Sequence, residues 1–303
     1  MTAFQLNETP LLSRSAVGRA EELRSDADAL RAGWPESLLL RVNHRGQVRV
    51  DDAGLVFADA TELGPEPQRG AIFLGVRKGR HVWAVRVPAL TGELDDLRSL
   101  GETLDDADAG LLTSALAMLN WHDRAGFSAL DGAASEPTMS GWSRISTSTG
   151  HEEFPRTDPA IICLVHDGGD HVLLARQSTW PPRRYSLLAG FVEAGESLEA
   201  CVVREIKEEV GIDVRGVRYL GSQPWPFPRS VMIGFAAVGD PDVPFTFTDG
   251  EIAEARWFTR DEVRTALELG DWASDDDAPL LLPGSISIAR GIIESWAGAT
   301  WAS

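Results

Sequence analysis

Two early stretches, 38–60 (LLLRVNHRGQVRVDDAGLVFADA) and 70–90 (GAIFLGVRKGRHVWAVRVPAL), alternate short β-rich runs with Gly, Asn and Asp. Apolar runs punctuated in this way predict a small antiparallel sheet. The pattern then changes. From about Asp105 to Ala125 an acidic start leads into Leu112, Leu116 and Leu119 at helical spacing, which predicts a helix that closes a first domain. Residues 126–153 are rich in Ser, Thr and Gly and poor in aliphatic side chains, so they read as a linker or a small loop-rich module.

Core-forming runs resume beyond that point. Ile161 to Val165 and His171 to Ala175 flank Asp167-Gly168-Gly169-Asp170, the signature of a hairpin, and Ser186 to Gly190 adds a third short run. Ser197 is placed to cap a helix over Leu198 to Val210, and Gly211 to end it in the left-handed conformation. Strand-like runs follow at Val217 to Leu220, Val231 to Val238, Phe245 to Thr248 and Arg256 to Phe258, then helices near Asp261 to Leu269 and Ser285 to Ala297. Strands mixed with a few helices predict an α/β sandwich in the C-terminal half. The expected organisation is an α+β domain over 1–125, a small module over 126–153 and an α/β/α sandwich over 154–303.

Composition sharpens this picture. With 43% hydrophobic and 24% charged residues in 303, the chain has the profile of a globular protein, which excludes disordered, collagen-like and coiled-coil classes. A formal charge of −18 repels polyphosphate backbones and anionic membranes, so an anionic ligand must be met locally by arginines or bound cations. The first fifteen residues lack a basic start followed by an apolar run, and no stretch approaches about 18 uninterrupted apolar residues, so a cytoplasmic location is expected. Cys163 and Cys201 fall in apolar patterns as small core residues, and the six His form no i,i+3 or i,i+4 pair.

The chemistry concentrates in Gly190 to Ile212, GFVEAGESLEACVVREIKEEVGI. At about 100° per residue, Glu205, Glu208 and Glu209 share one arc of roughly 100°, while Val203, Ile206 and Val210 project elsewhere and are expected to anchor the helix. Three like charges at this spacing repel unless a cation neutralises them. A hard divalent ion such as Mg²⁺, which prefers carboxylate and phosphate oxygens, is suited to that task.

The segment fits the Nudix box, G-x5-E-x7-R-E-U-x-E-E-x-G-U with U aliphatic, at Gly190, Glu196, Arg204, Glu205, Ile206, Glu208, Glu209, Gly211 and Ile212. The chain therefore resembles the Nudix hydrolases, which act on nucleoside diphosphates linked to another group and use this loop-helix-loop to hold Mg²⁺ or Mn²⁺. The resemblance implies that Glu205 and Glu209 are metal ligands, that Glu208 assists metal binding or water activation, and that Arg204 orients a glutamate. It assigns Glu196 an auxiliary role and the Ala189 carbonyl a further metal contact.

Downstream, Ser222-Gln223-Pro224-Trp225-Pro226-Phe227-Pro228-Arg229-Ser230 has proline at every second position after Gln223. Proline fixes φ and removes an N–H donor, so this cannot be a central strand; it is a stiff arm that carries Trp225 and Phe227. SQPWPFPxS after a Nudix box resembles the signature of the NADH pyrophosphatase branch. The resemblance implies that Gln223, Pro224, Trp225, Pro226, Phe227, Pro228, Arg229 and Ser230 line a pocket for NAD(H). It implies cleavage of the central pyrophosphate to nicotinamide mononucleotide and AMP, and in some members removal of an NAD cap from the 5′ end of RNA. By the same resemblance Glu251 is a further metal ligand, Ala289 and Arg98 are substrate contacts, Phe191 stacks on nicotinamide, and Phe154 is offered across a homodimer.

Members of this branch carry a zinc ribbon between the two domains. Here Ser128 with Asp131 and Ser146 with Thr149 stand where its CxxC pairs would fall, so tetrahedral zinc is not expected and the module is a degenerate, metal-free form. Arg183, Arg184 and Arg229 are the residues expected to meet the first phosphates of a capped RNA. Two other readings compete: a broader Nudix hydrolase of ADP-ribose, nucleotide sugars or coenzyme A, from which the arm discriminates, and a non-catalytic nucleotide sensor. A sensor would have no chemical need to keep Arg204, Glu205, Glu208 and Glu209 together.

Overall fold

The computed structural model describes residues 4–248, 250–274 and 278–299. The chain forms two compact units: Arg14–Thr157 with Pro224–Ser230, and the residues up to Ser13 with Asp158–Gln223 and those from Val231 onward. These units depart from a linear division at 125 and 153. Phe4 joins the core of the C-terminal unit, and the loop-rich module packs on the N-terminal one, where Trp142 Nε1 donates to the Phe73 carbonyl at 2.6 Å.

The N-terminal unit contains α1 (Ala27–Gly33), β1 (Leu38–Asn43), β2 (Gln47–Asp51), β3 (Gly54–Leu55), β4 (Ala58–Asp59), β5 (Ile72–Arg77), β6 (Arg80–Val87), β7 (Leu94–Asp96), α2 (Leu97–Leu100) and α3 (Asp106–His122). Its strands form two sheets, β4-β1-β6-β5 and β3-β2-β7. Because β1 runs parallel to β6, from Leu38 opposite Val82 to Asn43 opposite Val87, the sheet is mixed, not antiparallel as the punctuated runs predict. Turn residues fix where a strand stops, whereas the partner of a central strand is settled by burial. Trp34 and Trp83, with ring centroids 5.2 Å apart, centre this core with Leu39 and Phe73.

The loop-rich module supplies β8 (Ser135–Thr138), β9 (Ser143–Ser146) and β10 (Glu152–Glu153), in the order β10-β9-β8. Its four hydroxyl and carboxylate positions engage one another or the adjacent backbone. Asp131 Oδ2 accepts from Ser146 Oγ at 2.7 Å and Thr149 Oγ1 at 2.5 Å, Asp131 Oδ1 accepts from the Ala133 amide at 2.9 Å, and Ser128 Oγ donates to Glu153 at 2.9 Å. The Thr149 bond foremost, then those from Ala133 and Ser146, holds the Asp131 carboxyl down at about 2.

The C-terminal unit contains β11 (Asp158–His166), β12 (His171–Gln177), β13 (Leu188–Phe191), α4 (Leu198–Val210), β14 (Arg215–Trp225), β15 (Ser230–Val238), β16 (Ile252–Thr259), α5 (Arg260–Leu269) and α6 (Ile288–Gly298). Its six-stranded sheet runs β14-β15-β11-β12-β16, with β13 also paired to β11. Strand β11 shows why both faces are covered: Ile161, Cys163 and Val165 join a core with Cys201, Val202, Ile206 and Val210 of α4. The alternate residues Ile162 and Leu164 join Ile288, Ile292 and Trp296 of α6. That is a period of two with apolar residues at both phases, the mark of a strand buried on both sides. Strand β14 lies at the sheet edge, which is where a strand ending in prolines can be tolerated.

The expected strand over Phe245 to Thr248 does not form. The Thr246 amide donates to the Val210 carbonyl at 3.0 Å and Thr248 Oγ1 to the Glu208 carbonyl at 2.8 Å, so this segment caps the end of α4 instead of joining the sheet. Among the described residues no helix is long and apolar enough to cross a membrane.

Candidate active site

Helix α4 is bounded by local chemistry. Ser197 Oγ accepts from the Ala200 amide at 3.1 Å, and Gly211 closes the helix at φ 79° with its amide bonded to the Lys207 carbonyl. The anchoring face differs from the expected one. Val202, Ile206 and Val210 are buried, whereas Val203 is 40% exposed, so the buried arc is rotated toward Glu209, itself only 3% exposed. The three carboxylates are therefore graded in depth: Glu209 is buried, Glu205 is mostly covered and Glu208 is half exposed.

Arg204 ties this face together. Its Nε and one terminal nitrogen clasp both oxygens of Glu196 at 2.8 Å, and its other terminal nitrogen reaches Glu205 and Glu208, each at 2.9 Å. The Phe191 carbonyl accepts a further bond from the guanidinium at 3.0 Å. The Glu196 carboxyl is held down at about 2, chiefly by its hydrogen bonds from Arg204, and the Arg204 guanidinium is pushed above its usual range, chiefly by Glu196. Such a paired fork fixes the orientation of three carboxylates from a single side chain.

Glu205 lies over β13. In the β11–β13 register Ala189 faces Ile162 and Gly190 faces Ile161. A Cβ placed on Gly190 would come within 1.9 Å of the Glu205 carboxyl carbon, so only glycine admits that carboxylate there. Burial pushes the Glu205 carboxyl up, and the negative charges of Glu208 and Glu251 add to that push while Arg204 opposes it. Glu251 thus belongs to the same electrostatic cluster although it stands at the entrance to β16. Gln177 Nε2 holds Glu251 Oε1 at 2.9 Å, a contact with no signal in the local sequence.

Among the described residues no three His, Cys, Asp or Glu side chains converge as a ready-made metal cage; Arg204 neutralises Glu205 and Glu208 in this arrangement. The donor chemistry fits a hard divalent cation nonetheless. Every candidate ligand is an oxygen, three carboxylates repel one another electrostatically, and the side-chain-free backbone at Gly190 makes room for one of them.

The expected substrate contacts divide between the units. In the C-terminal unit Phe191 is 60% exposed, Ala289 is buried in the first turn of α6, and Gln223 is buried with its Nε2 donating to the Ile286 carbonyl at 2.8 Å. Pro224 to Ser230 belong to the N-terminal unit, as do Arg98 and the exposed Phe154. There the Arg98 guanidinium stacks 3.9 Å from the ring centre of Phe227 and 5.2 Å from that of Trp225, and the two rings meet edge to face at 4.9 Å. Asn120, which the sequence did not single out, donates from Nδ2 to the carbonyls of Pro226 at 3.0 Å and Pro228 at 2.9 Å.

Residues 156–279 match the family model described as NUDIX domain, and residues 20–121 match the one described as NADH pyrophosphatase-like rudimentary NUDIX domain. Over 302 residues, 97% of this chain and 96% of the relative, the sequence is 61% identical to the NAD-capped RNA hydrolase NudC of Mycobacterium bovis (strain BCG / Pasteur 1173P2). The same figures hold for the protein of that name from Mycobacterium tuberculosis (strain ATCC 25618 / H37Rv). The mitochondrial NAD(P)H pyrophosphatase NUDT13 of Mus musculus is 40% identical over 212 residues, which cover 68% of this chain and 60% of that protein.

Proposed function

The chain belongs to the Nudix hydrolase family, in its NADH pyrophosphatase branch, and we propose that it hydrolyses the pyrophosphate of NAD(H) to nicotinamide mononucleotide and AMP, and removes NAD caps from RNA. The observation that carries this reading is the Arg204 fork, which holds both Glu205, set against the Gly190 backbone, and Glu208, in a chain 61% identical to an NAD-capped RNA hydrolase.

Glu205, Glu208, Glu209, Glu251 and the Ala189 carbonyl would hold Mg²⁺ or Mn²⁺. The bound ion supplies neutralisation of phosphoryl charge and lowers the pKa of water. Arg204 keeps two glutamates oriented without itself entering the reaction. Glu208, the most exposed of the three helix carboxylates, receives the proton as water oxygen bonds to one phosphorus. The P–O bond to the bridging oxygen breaks, and that oxygen leaves with the other phosphate. Each product thus carries one phosphate monoester. By the family resemblance, recognition of the dinucleotide draws on Gln223, Ala289 and the exposed Phe191 in the C-terminal unit, and separately on the proline-aromatic arm and Arg98 in the N-terminal unit.

A cytoplasmic homodimer in which Phe154 serves the partner's site completes the reading; an active monomer in sedimentation would remove Phe154 from it. Asp131 takes over the tying role of a zinc ion in the small module, so zinc is not required. The direct test incubates the protein with NADH and Mg²⁺ or Mn²⁺ and identifies products by mass. Reduced nicotinamide mononucleotide with AMP is expected. Absence of cleavage with either metal, in folded protein that binds NADH, would overturn the reading in favour of a nucleotide sensor.

A further inference from the structure

The arm from Pro224 to Pro228 poses a problem of hydrogen bonding. Pro224 and Trp225 end strand β14, but Pro226 to Pro228 lie in the turn beyond it, where the prolines have no N–H and no ladder continues, so the carbonyls of Pro226 and Pro228 must find donors elsewhere. Asn120, at the end of α3, meets both from one amide nitrogen. An asparagine amide has two N–H donors on one atom, which is the stoichiometry two acceptors demand.

The amide is itself held in that orientation. Asn120 Oδ1 accepts from Arg86 at 2.9 Å, and the same guanidinium bonds the Asn43 carbonyl and the Asp123 carboxylate, each at 2.8 Å. With Oδ1 committed to a cation, a flipped amide would face a donor with donors and the two carbonyls with an acceptor. Arg86 therefore enforces the one rotamer state that serves the arm. Asp at this position would set a second acceptor against the carbonyls, and Ala would leave both unmet.

We infer that Asn120, locked by Arg86, is a positioning residue that sets the conformation in which the proline arm offers Trp225 and Phe227 for dinucleotide binding. This inference rests on the proposed role of the arm in NAD(H) recognition. Asn120 touches no reacting atom; it acts by keeping the arm in its competent state. When only a fraction of molecules is competent, apparent affinity falls by that fraction while turnover at saturation is preserved.

The test uses full-length Asn120→Ala and Asn120→Asp. KM for NADH should rise about tenfold, corresponding to an arm competent in about one molecule in ten, with kcat within about twofold of wild type. An independent readout is the ¹⁹F resonance of Trp225 in 5-fluorotryptophan-labelled protein, assigned with Trp225→Phe, which should shift and broaden in both variants. Wild-type KM with an unchanged Trp225 resonance would overturn the inference, as would global unfolding of both variants, which would make Asn120 a residue of the fold. Should wild-type protein fail to turn over NADH, the reading of the site fails, and the Trp225 resonance alone still decides whether Asn120 positions the arm.

Discussion

Replacing Gly190 by alanine separates the fold from the chemistry. The new methyl carbon would lie 1.9 to 2.3 Å from the Glu205 carboxylate atoms, a distance that cannot be occupied, and what must move is the far end of a flexible side chain. Glu205 then gives up its 2.9 Å bond to Arg204, worth about 1.5–3 kcal/mol for a charged pair of this kind. The unfolded chain loses entropy with alanine in place of glycine, which returns about 0.4–1 kcal/mol. The net stability loss is about 1–2 kcal/mol, or roughly 2–8 °C in melting temperature for a unit of this size. Activity should suffer far more. Displacing a carboxylate by about 1 Å from its working position costs on the order of 10² in rate, so kcat/KM for NADH should fall at least a hundredfold while the protein melts cooperatively. A Gly190→Ala enzyme with kcat/KM within about threefold of wild type would refute the claim that Glu205 must lie over this backbone.

Glu208→Gln keeps the shape of a half-exposed side chain, so stability should change by no more than about 0.5 kcal/mol, while kcat drops by about 10²–10⁴ if Glu208 receives the proton; full activity would sink that assignment. Asp131 has a carboxyl held at about 2, below its ordinary 3.8, so its contribution to stability is present above pH ~4 and is lost as the pH falls toward ~2. Asp131→Asn should therefore melt lower than wild type at neutral pH and converge with it near pH 2; parallel melting curves across that range would contradict the tying role. Arg184→Ala should lower decapping of NAD-capped RNA more than hydrolysis of free NAD and reduce the slope of log rate against log salt by about 0.7; equal loss on both substrates would refute a phosphate contact.

What the sequence made legible was local. Ser197, Gly211 and the hairpin at Asp167 to Asp170 act through neighbours a few residues away, and the structure uses each as its residue type demands. What it concealed was either distant or cooperative. The parallel pairing of β1 with β6 joins residues 44 apart, and Asn120 reaches the arm across 106 positions, where no periodicity can signal a contact. Arg98 is expected as a substrate contact only through the family resemblance; nothing in its local sequence signals the Phe227 ring stacked against its guanidinium.

The misjudged face of α4 is the most informative of these differences. Val203, Ile206 and Val210 satisfy a helical stripe as well as Val202, Ile206 and Val210 do, and hydrophobicity alone favours neither. Relative to Ile206, Val203 lies about 60° to one side and Glu209 about 60° to the other. The helix buries the glutamate and exposes the valine. Patterning rules run the other way, because a buried carboxylate forfeits hydration that a buried valine never had. A fold that rotates its helix to bury Glu209 is positioning a carboxylate at depth, one helical turn from Glu205. That preference for placement over hydrophobic burial is what a site for a hard cation requires.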